Sequence, residues 1–332
     1  MKDYILYTVN LALFDGEPVI NTTTSEGLTE EMKTYYSDYL IDMAEPELVH
    51  DQFAQKHPIP KNGGKTIQFR KYAPLSSEIN ARLLAEGKTP TGQNLSMTVV
   101  EATVAQYGGY IELSDMLLLT AVDNNLVQAT RLLGSQAGRV LDAITREEMA
   151  NTTNEQFASG NVSEMAQLSS TNKEHYLTVA AVKRAVRTLK RYNAPKIDGS
   201  YIAIVHTDVA HDLMNDPEWR YPHEYRDTEN IYEGEIGKVH GVRFVETSEG
   251  KVYDGAGASG SDVYATFVFG ADAYGTTDIS GGGLEHIVKQ LGSAGSSDPL
   301  NQRATVGWKA TKVSKLLVPE YIVEVLTAAT PV

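Results

Sequence analysis

His206, Asp208, His211 and Asp212 come closest, by type and spacing, to a chemical site in this chain. Two imidazoles with intervening carboxylates can bind zinc when all of them face one way, and a metal-dependent hydrolase would use such a set. Here the histidines stand five apart across a strand-to-helix junction, not four apart on one helix, so the spacing makes them diverge. Thr207 and Asp208 also read more simply as the start of a capped helix with acidic charge at its positive end. A second set is basic: Lys183, Arg184, Arg187, Lys190 and Arg191. A phosphate site there would need the positive end of a helix, yet these residues gather toward the C-terminal half of a predicted one. A solvated face that can pair with acidic neighbours explains them more economically. The run Gly281, Gly282, Gly283 lacks phosphate-loop spacing and a following Lys-Ser/Thr, and reads as a hinge. No Gly-x-Ser-x-Gly elbow is present. No catalytic, cofactor-binding or metal-ligating residue is therefore assigned, and the chain is not expected to be an enzyme.

The totals narrow the classes further. A chain of 332 residues can bury a large core and divide into subdomains. With 42% hydrophobic and 22% charged residues it has the composition of an ordered protein. A net charge of −14 argues against wrapping nucleic acid by general attraction. The absence of cysteine excludes disulfides and thiolate metal sites. No apolar run has the length of a membrane span. The apolar stretch 4–14 is interrupted by Asn10 and preceded only by Lys2, so a secretory signal is not expected.

The elements that must carry any site are organised around residues 114–152. Ser114 caps a short apolar turn, and Asp123 offers a second cap before a long helix. Leu126, Ala129, Leu133, Ala137, Val140, Leu141 and Ile144 recur at helical spacing, with Gln128, Arg131, Ser135, Arg139, Asp142, Arg146 and Glu147 suited to the outer face. Such a helix spans roughly 40 Å. Gly134 and Gly138 weaken it, which predicts a close neighbour there. Upstream, 1–26 reads as an extended arm and 29–43 as a helix. Residues 65–72 alternate like a half-exposed strand, 74–94 is polar, and a second strand-like run returns over 96–113. This predicts a long hairpin with a charged tip, marginal by itself and stable against another surface. Downstream, Thr178 caps a helix with Val179, Val182, Val186 and Leu189 as its buried stripe. Residues 201–205 (Tyr-Ile-Ala-Ile-Val) read as a buried strand. Further strands fall at 242–246, 263–269, 284–291, 305–313 and 321–326.

Several strings resemble a known family. They are Thr66-Ile-Gln-Phe-Arg-Lys-Tyr-Ala-Pro-Leu75, Val104-Ala-Gln-Tyr-Gly108, Ala185-Val-Arg-Thr-Leu-Lys190 and Asp212-Leu-Met-Asn-Asp-Pro-Glu-Trp219. Glu235-Ile-Gly-Lys238 with Gly241-Val-Arg-Phe-Val-Glu-Thr247 is a fifth. The longest is Gly283-Leu-Glu-His-Ile-Val-Lys-Gln-Leu-Gly-Ser-Ala-Gly295 with Asp298-Pro-Leu-Asn-Gln-Arg-Ala-Thr-Val-Gly-Trp-Lys-Ala310. Together the chain resembles the major capsid (coat) proteins of tailed double-stranded-DNA bacteriophages and their prophages, a fold shared with encapsulins.

The resemblance implies an α+β fold with an N-terminal arm (1–57), an extended hairpin loop (58–113) and a spine helix opening a peripheral domain (114–176). An axial α/β domain (177–282) and a strand-rich return of the peripheral domain (283–332) complete it. It also implies a structural subunit that forms homo-pentamers and homo-hexamers and closes an icosahedral virion capsid around double-stranded DNA, without sequence-specific binding. Portal, scaffolding and decoration proteins are the further partners implied, with assembly in the host bacterial cytoplasm, no cofactor and no membrane. Arg70, Lys71, Arg82, Glu86 and Lys88 are then the candidates for polar contacts made by the hairpin. Lys88 is also where a covalent bond to a neighbour's asparagine would form, as in some relatives. An encapsulin-like cargo compartment and a hydrolase built on His206 are the competing expectations.

Overall fold

In a computed structural model of the chain, the described residues are 20–21, 49–58, 65–72, 75, 86, 92–120, 125–159, 161–224, 235–277, 284–293 and 298–331. In chain order the first strands are β1 (Ile20–Asn21), β2 (Gln55–His57), β3 (Thr66–Tyr72), β4 (Met97–Thr103) and β5 (Ala105–Ser114). Helices α1 (Asp115–Thr120) and α2 (Asn125–Met149) follow, then β6 (Glu155–Phe157), α3 (Val179–Arg191) and β7 (Tyr201–His206). Next come α4 (Thr207–Met214), α5 (Pro217–Glu224), β8 (Glu235–Val239), β9 (Val242–Thr247) and β10 (Val252–Tyr253). The last strands are β11 (Val263–Phe269), β12 (Tyr274–Thr277), β13 (Leu284–Lys289), β14 (Arg303–Lys312), β15 (Ser314–Leu316) and β16 (Ile322–Thr327). The fold is α+β, as expected. The predicted helix over 29–43, the second cap at Asp123 and the glycine run 281–283 lie outside the described residues.

The chain forms two compact units, one from residues 1–43, 108–134 and 285–309, the other from 44–107, 135–284 and 310–332. The first is organised on a sheet in the order β1-β5-β14-β13. Gly108 and Gly307 let two of its strands approach closely, since a Cβ at Gly108 would stand 2.7 Å from the Trp308 carbonyl and one at Gly307 2.9 Å from Tyr110 Cβ. Ser114 caps α1 as predicted, its hydroxyl accepting from the Leu117 amide at 3.2 Å. Leu113, Leu117 and Ala129 form a small apolar cluster. The expectation of a close neighbour at Gly134 is not met: among the described residues nothing lies within 4 Å of where its Cβ would stand.

The second unit is built on a mixed sheet in the order β6-β16-β11-β7-β9-β8, with β10 on β11. β7 pairs parallel with β9 and antiparallel with β11, and β16 pairs antiparallel with β11 and parallel with β6. Both faces are covered, so its strands read as continuous apolar runs. Tyr201, Ala203 and Val205 pack with the stripe of α3, while Ile202 and Ile204 face a second cluster holding Phe267, Phe269, Met149 and Tyr274. Each fully buried side chain of this size stabilises the fold by about 1.5–3 kcal/mol. Thr178 caps α3 by accepting from the Ala181 amide, and Val179, Val182, Val186 and Leu189 are buried, all as predicted. Asp216 serves two helices at once, accepting from the Val179 amide and from Glu218 at the start of α5. β8 and β9 turn through His240 and Gly241, both at positive φ (51° and 82°), the pattern of a tight two-residue hairpin.

The strand-like run 96–113 divides. β4 pairs with β3 over seven residue pairs, Thr66↔Thr103 to Tyr72↔Met97, whereas β5 belongs to the sheet of the first unit. The interruption falls at Val104, whose amide donates to the Lys65 carbonyl.

Candidate functional site

The His206 set does not converge. His206 itself caps α4, its Nδ1 accepting from the Asp208 amide at 3.2 Å, a task the sequence reading gave to Thr207. The Asp208 carboxylate accepts from the Tyr264 hydroxyl at 3.0 Å. Burial and this carboxylate push the Tyr264 phenol up to about 12. Asp212 is occupied by the backbone and hydroxyl of Thr330, at 2.8 and 2.6 Å, and His211 points to solvent. Among the described residues no three His, Asp or Glu side chains are grouped to hold a metal ion. His206 caps α4, Asp208 ties it to Tyr264 of β11, and Asp212 ties it to Thr330.

The basic residues of α3 divide by function. Lys183 pairs with Glu218, and Arg184 donates to the carbonyls of Phe157 and Ala158. Arg187, Lys190 and Arg191 are exposed.

The hairpin β3–β4 has two distinct halves. At its root Phe69 is buried at 4% exposure, edge-on to His57 with ring centroids 4.9 Å apart. Gly275 makes room for it, because a Cβ there would stand 2.9 Å from the Phe69 ring. Ala102 is buried as well, and Gln68 donates to Glu101 across the strands at 2.8 Å. Beyond Phe69, toward the tip, none of the described residues is buried. Leu75 (57%), Leu95 (70%), Met97 (46%) and Val99 (38%) are exposed. Two strands alone cannot cover such residues on either face, and uncovered apolar groups of this kind mark a surface that pairs with something else.

Of the candidate contact residues, Arg70 is exposed and lies across from Val99, lining a cavity of about 280 Å³ at the hairpin root with His57, Asp272 and Tyr321. Lys71 follows in the strand, opposite Thr98. Glu86 is exposed, and Arg82 and Lys88 lie outside the described residues.

The sequence reading missed a buried polar cluster in the second unit. Lys312, fully buried, donates to Asp51 at 2.6 Å and to the Leu141 carbonyl at 2.8 Å. Burial lowers the Lys312 ammonium from its usual range against the pull of Asp51. Thr145 also donates to Asp51, and Ser314 links Thr145 to Thr276. Beside it Asp142 accepts from the backbone and ring of His50, at 2.8 and 2.6 Å, and Tyr274 donates to the His50 carbonyl. Asp142, read as outer-face, is thus 3% exposed because His50 supplies its partners. The cluster fastens residues 50–51, α2, β12 and β14–β15 together. A second buried acid, Glu324, accepts from Tyr253 at 2.9 Å, and burial raises its carboxyl to about 7.

Among the described residues these features contain no arranged catalytic set, and the outer half of the hairpin is left uncovered. No helix of the described residues is long and apolar enough to cross a membrane. The family model described as "Phage capsid protein" matches residues 98–323. A search of curated proteins found no match. Among solved structures, the capsid of Ralstonia phage GP4 aligns over 94% of this chain and 99% of its own, with a TM-score of 0.70 at 13% identity. The capsid of cyanophage P-SCSP1u aligns over 92% and 95%, with a TM-score of 0.63 at 13% identity. The cyanophage Pam1 capsid aligns over 81% and 86%, with a TM-score of 0.61 at 16% identity. The shared fold agrees with the family match, which spans more than half of the sequence: this chain belongs to the phage capsid protein family and is a structural, major capsid protein.

Proposed function

We propose that copies of this chain associate head-to-tail into pentamers and hexamers, and that these close into an icosahedral virion capsid around double-stranded DNA in the host bacterial cytoplasm. The observation that carries the reading is the hairpin's outer half, with Met97 and Val99 exposed on its two-stranded ribbon and Leu75 and Leu95 exposed just beyond the strands. Laid across a neighbour, that ribbon gains the third layer it lacks, and a repeated contact of modest strength adds up by avidity. Arg70, Lys71, Arg82, Glu86 and Lys88 supply its polar contacts in this reading. The net charge of −14 suits an inner wall that lets DNA move during packing. The reading keeps the division into arm (1–57), hairpin loop (58–113), peripheral domain (114–176 and 283–332) and axial domain (177–282). Portal, scaffolding and decoration proteins are the further partners of such a shell.

Deleting residues 76–94 tests it. The shortened chain is expected to fold with the melting temperature of the full chain and to form no closed particles by electron microscopy. Particles of normal size and yield would contradict the proposal.

A further inference from the structure

The seven-stranded sheet of the second unit has unpaired charge at both ends of its strands, and the signs are opposite. At one end α3 stops and the chain returns through Pro195, whose carbonyl accepts from the Ala271 amide just past the end of β11. Here Arg187, Lys190 and Arg191 are exposed, and none makes an ion pair among the described residues. In the adjoining turns Lys196 is outnumbered by Asp198, Asp272 and Glu320, which offsets most of the helix triad's three positive charges but leaves this end net positive. At the other end, where β11 begins and β16 finishes, two loops are fastened together. Ala258 donates to the Leu168 carbonyl, and Ala328 donates to that of His175. These loops expose Glu164, Glu174 and Asp254, also without ion pairs among the described residues, with Lys173 next to Glu174 in sequence. Asp262 and Asp208 add to the negative field, although both carboxylates already accept hydrogen bonds. β11 spans seven residues, so the two ends lie about 20 Å apart.

Closed rings of identical chains need two different, mutually complementary patches on each protomer, because each contact is head-to-tail. We propose that these two ends are such a pair: Arg187, Lys190 and Arg191 of one copy dock against the Glu164, Glu174 and Asp254 end of the next. The inference rests on the shell reading above and names one contact within the ring. A nucleic-acid backbone is the other polyanion that would suit the triad, but three cations neutralise few phosphates and the chain as a whole repels them. A second copy instead presents three unpaired carboxylates on loops held by backbone hydrogen bonds.

Charge reversal tests the pairing. Arg187→Glu, Lys190→Glu and Arg191→Glu together form one variant; Glu164→Lys, Glu174→Lys and Asp254→Lys together form another; the third carries all six. All six positions are exposed, and thermal melting of unassembled chains checks that each variant folds. Each reversal alone is expected to raise the concentration needed for assembly about tenfold at low salt, as a few exposed pairs should. The gap should narrow at about 0.5 M salt, where charges are screened within a few Å. The six-fold variant should return to within about threefold of the unaltered chain. Unchanged assembly of either reversal, or no recovery in the six-fold variant, overturns the pairing while leaving the shell reading intact. Normal particles that lose only their DNA would overturn it in favour of a nucleic-acid contact. Failure of the unaltered chain to assemble at all would sink the shell reading together with this one.

Discussion

The hairpin β3–β4 and the strands β7, β11 and β16 belong to the same unit and are made of similar residues, yet they differ in what covers them. The three sheet strands are buried along nearly their whole length, on both faces. Among the described residues of the hairpin only Phe69 and Ala102 are buried, and Leu95, Met97 and Val99 are open. The first region is complete within one chain. The second satisfies its backbone by cross-strand pairing but leaves its apolar side chains unfinished, so in the proposed shell the stability of the monomer and the capacity to assemble reside in different residues.

That separation can be broken from the buried side first. Lys312→Ala removes the cation that holds Asp51 and leaves an uncompensated buried charge, a change that costs about 3–5 kcal/mol. Chemical denaturation of the unassembled chain should show this loss. A cost below about 1 kcal/mol would mean that the polar cluster does not support the body.

A smaller effect is expected at Glu324, and it depends on pH. Its folded-state value of about 7 lies above the ordinary 4.5, so the folded state favours the protonated form. Its contribution is fully present below about pH 4.5 and is lost as pH rises through 7. Glu324→Gln should therefore stabilise the chain by on the order of 2–3 kcal/mol at pH 8 and change little at pH 4.5. Melting curves at the two pH values would check this, and equal shifts at both would contradict it.

The smallest effect on the free chain should come from the hairpin. Replacing Leu95, Met97 and Val99 together by Ser should alter monomer stability by less than about 0.5 kcal/mol, as exposed substitutions do. Assembly should nevertheless be lost, as read by sedimentation. A large destabilisation of the monomer would show that these residues are already covered within one chain.

Much of the fold was legible because it obeys simple periods. The stripe of α3, the Thr178 and Ser114 caps and the buried strand 201–205 follow from spacing and side-chain chemistry alone. The misses have physical causes. Asp142 sits on α2 where a polar residue normally faces water, and only its contact with His50, 92 positions earlier, buries it. Lys312 carried a usable signal: it has the inward parity of Val306, Trp308 and Ala310, so alternation alone placed it inside. The break at Val104 was invisible because β4 and β5 are both strand-like, and only pairing partners tell them apart. The spacing of the His206 set argues against a metal site and points to Thr207 as the cap, whereas His206 is the cap, because an imidazole accepts from a backbone amide as a carboxylate does. Exposure on the hairpin cannot be read from one strand's pattern, since the covering surface is not local in sequence.

Hydrogen exchange on the free chain and on assembled particles measures the two regions side by side. The account predicts that amides of β3 and β4 become protected by about a hundredfold or more on assembly, while those of β7, β11 and β16 barely change. Equal exchange of the hairpin in both states would contradict it, because its open apolar face would then be covered by no neighbour.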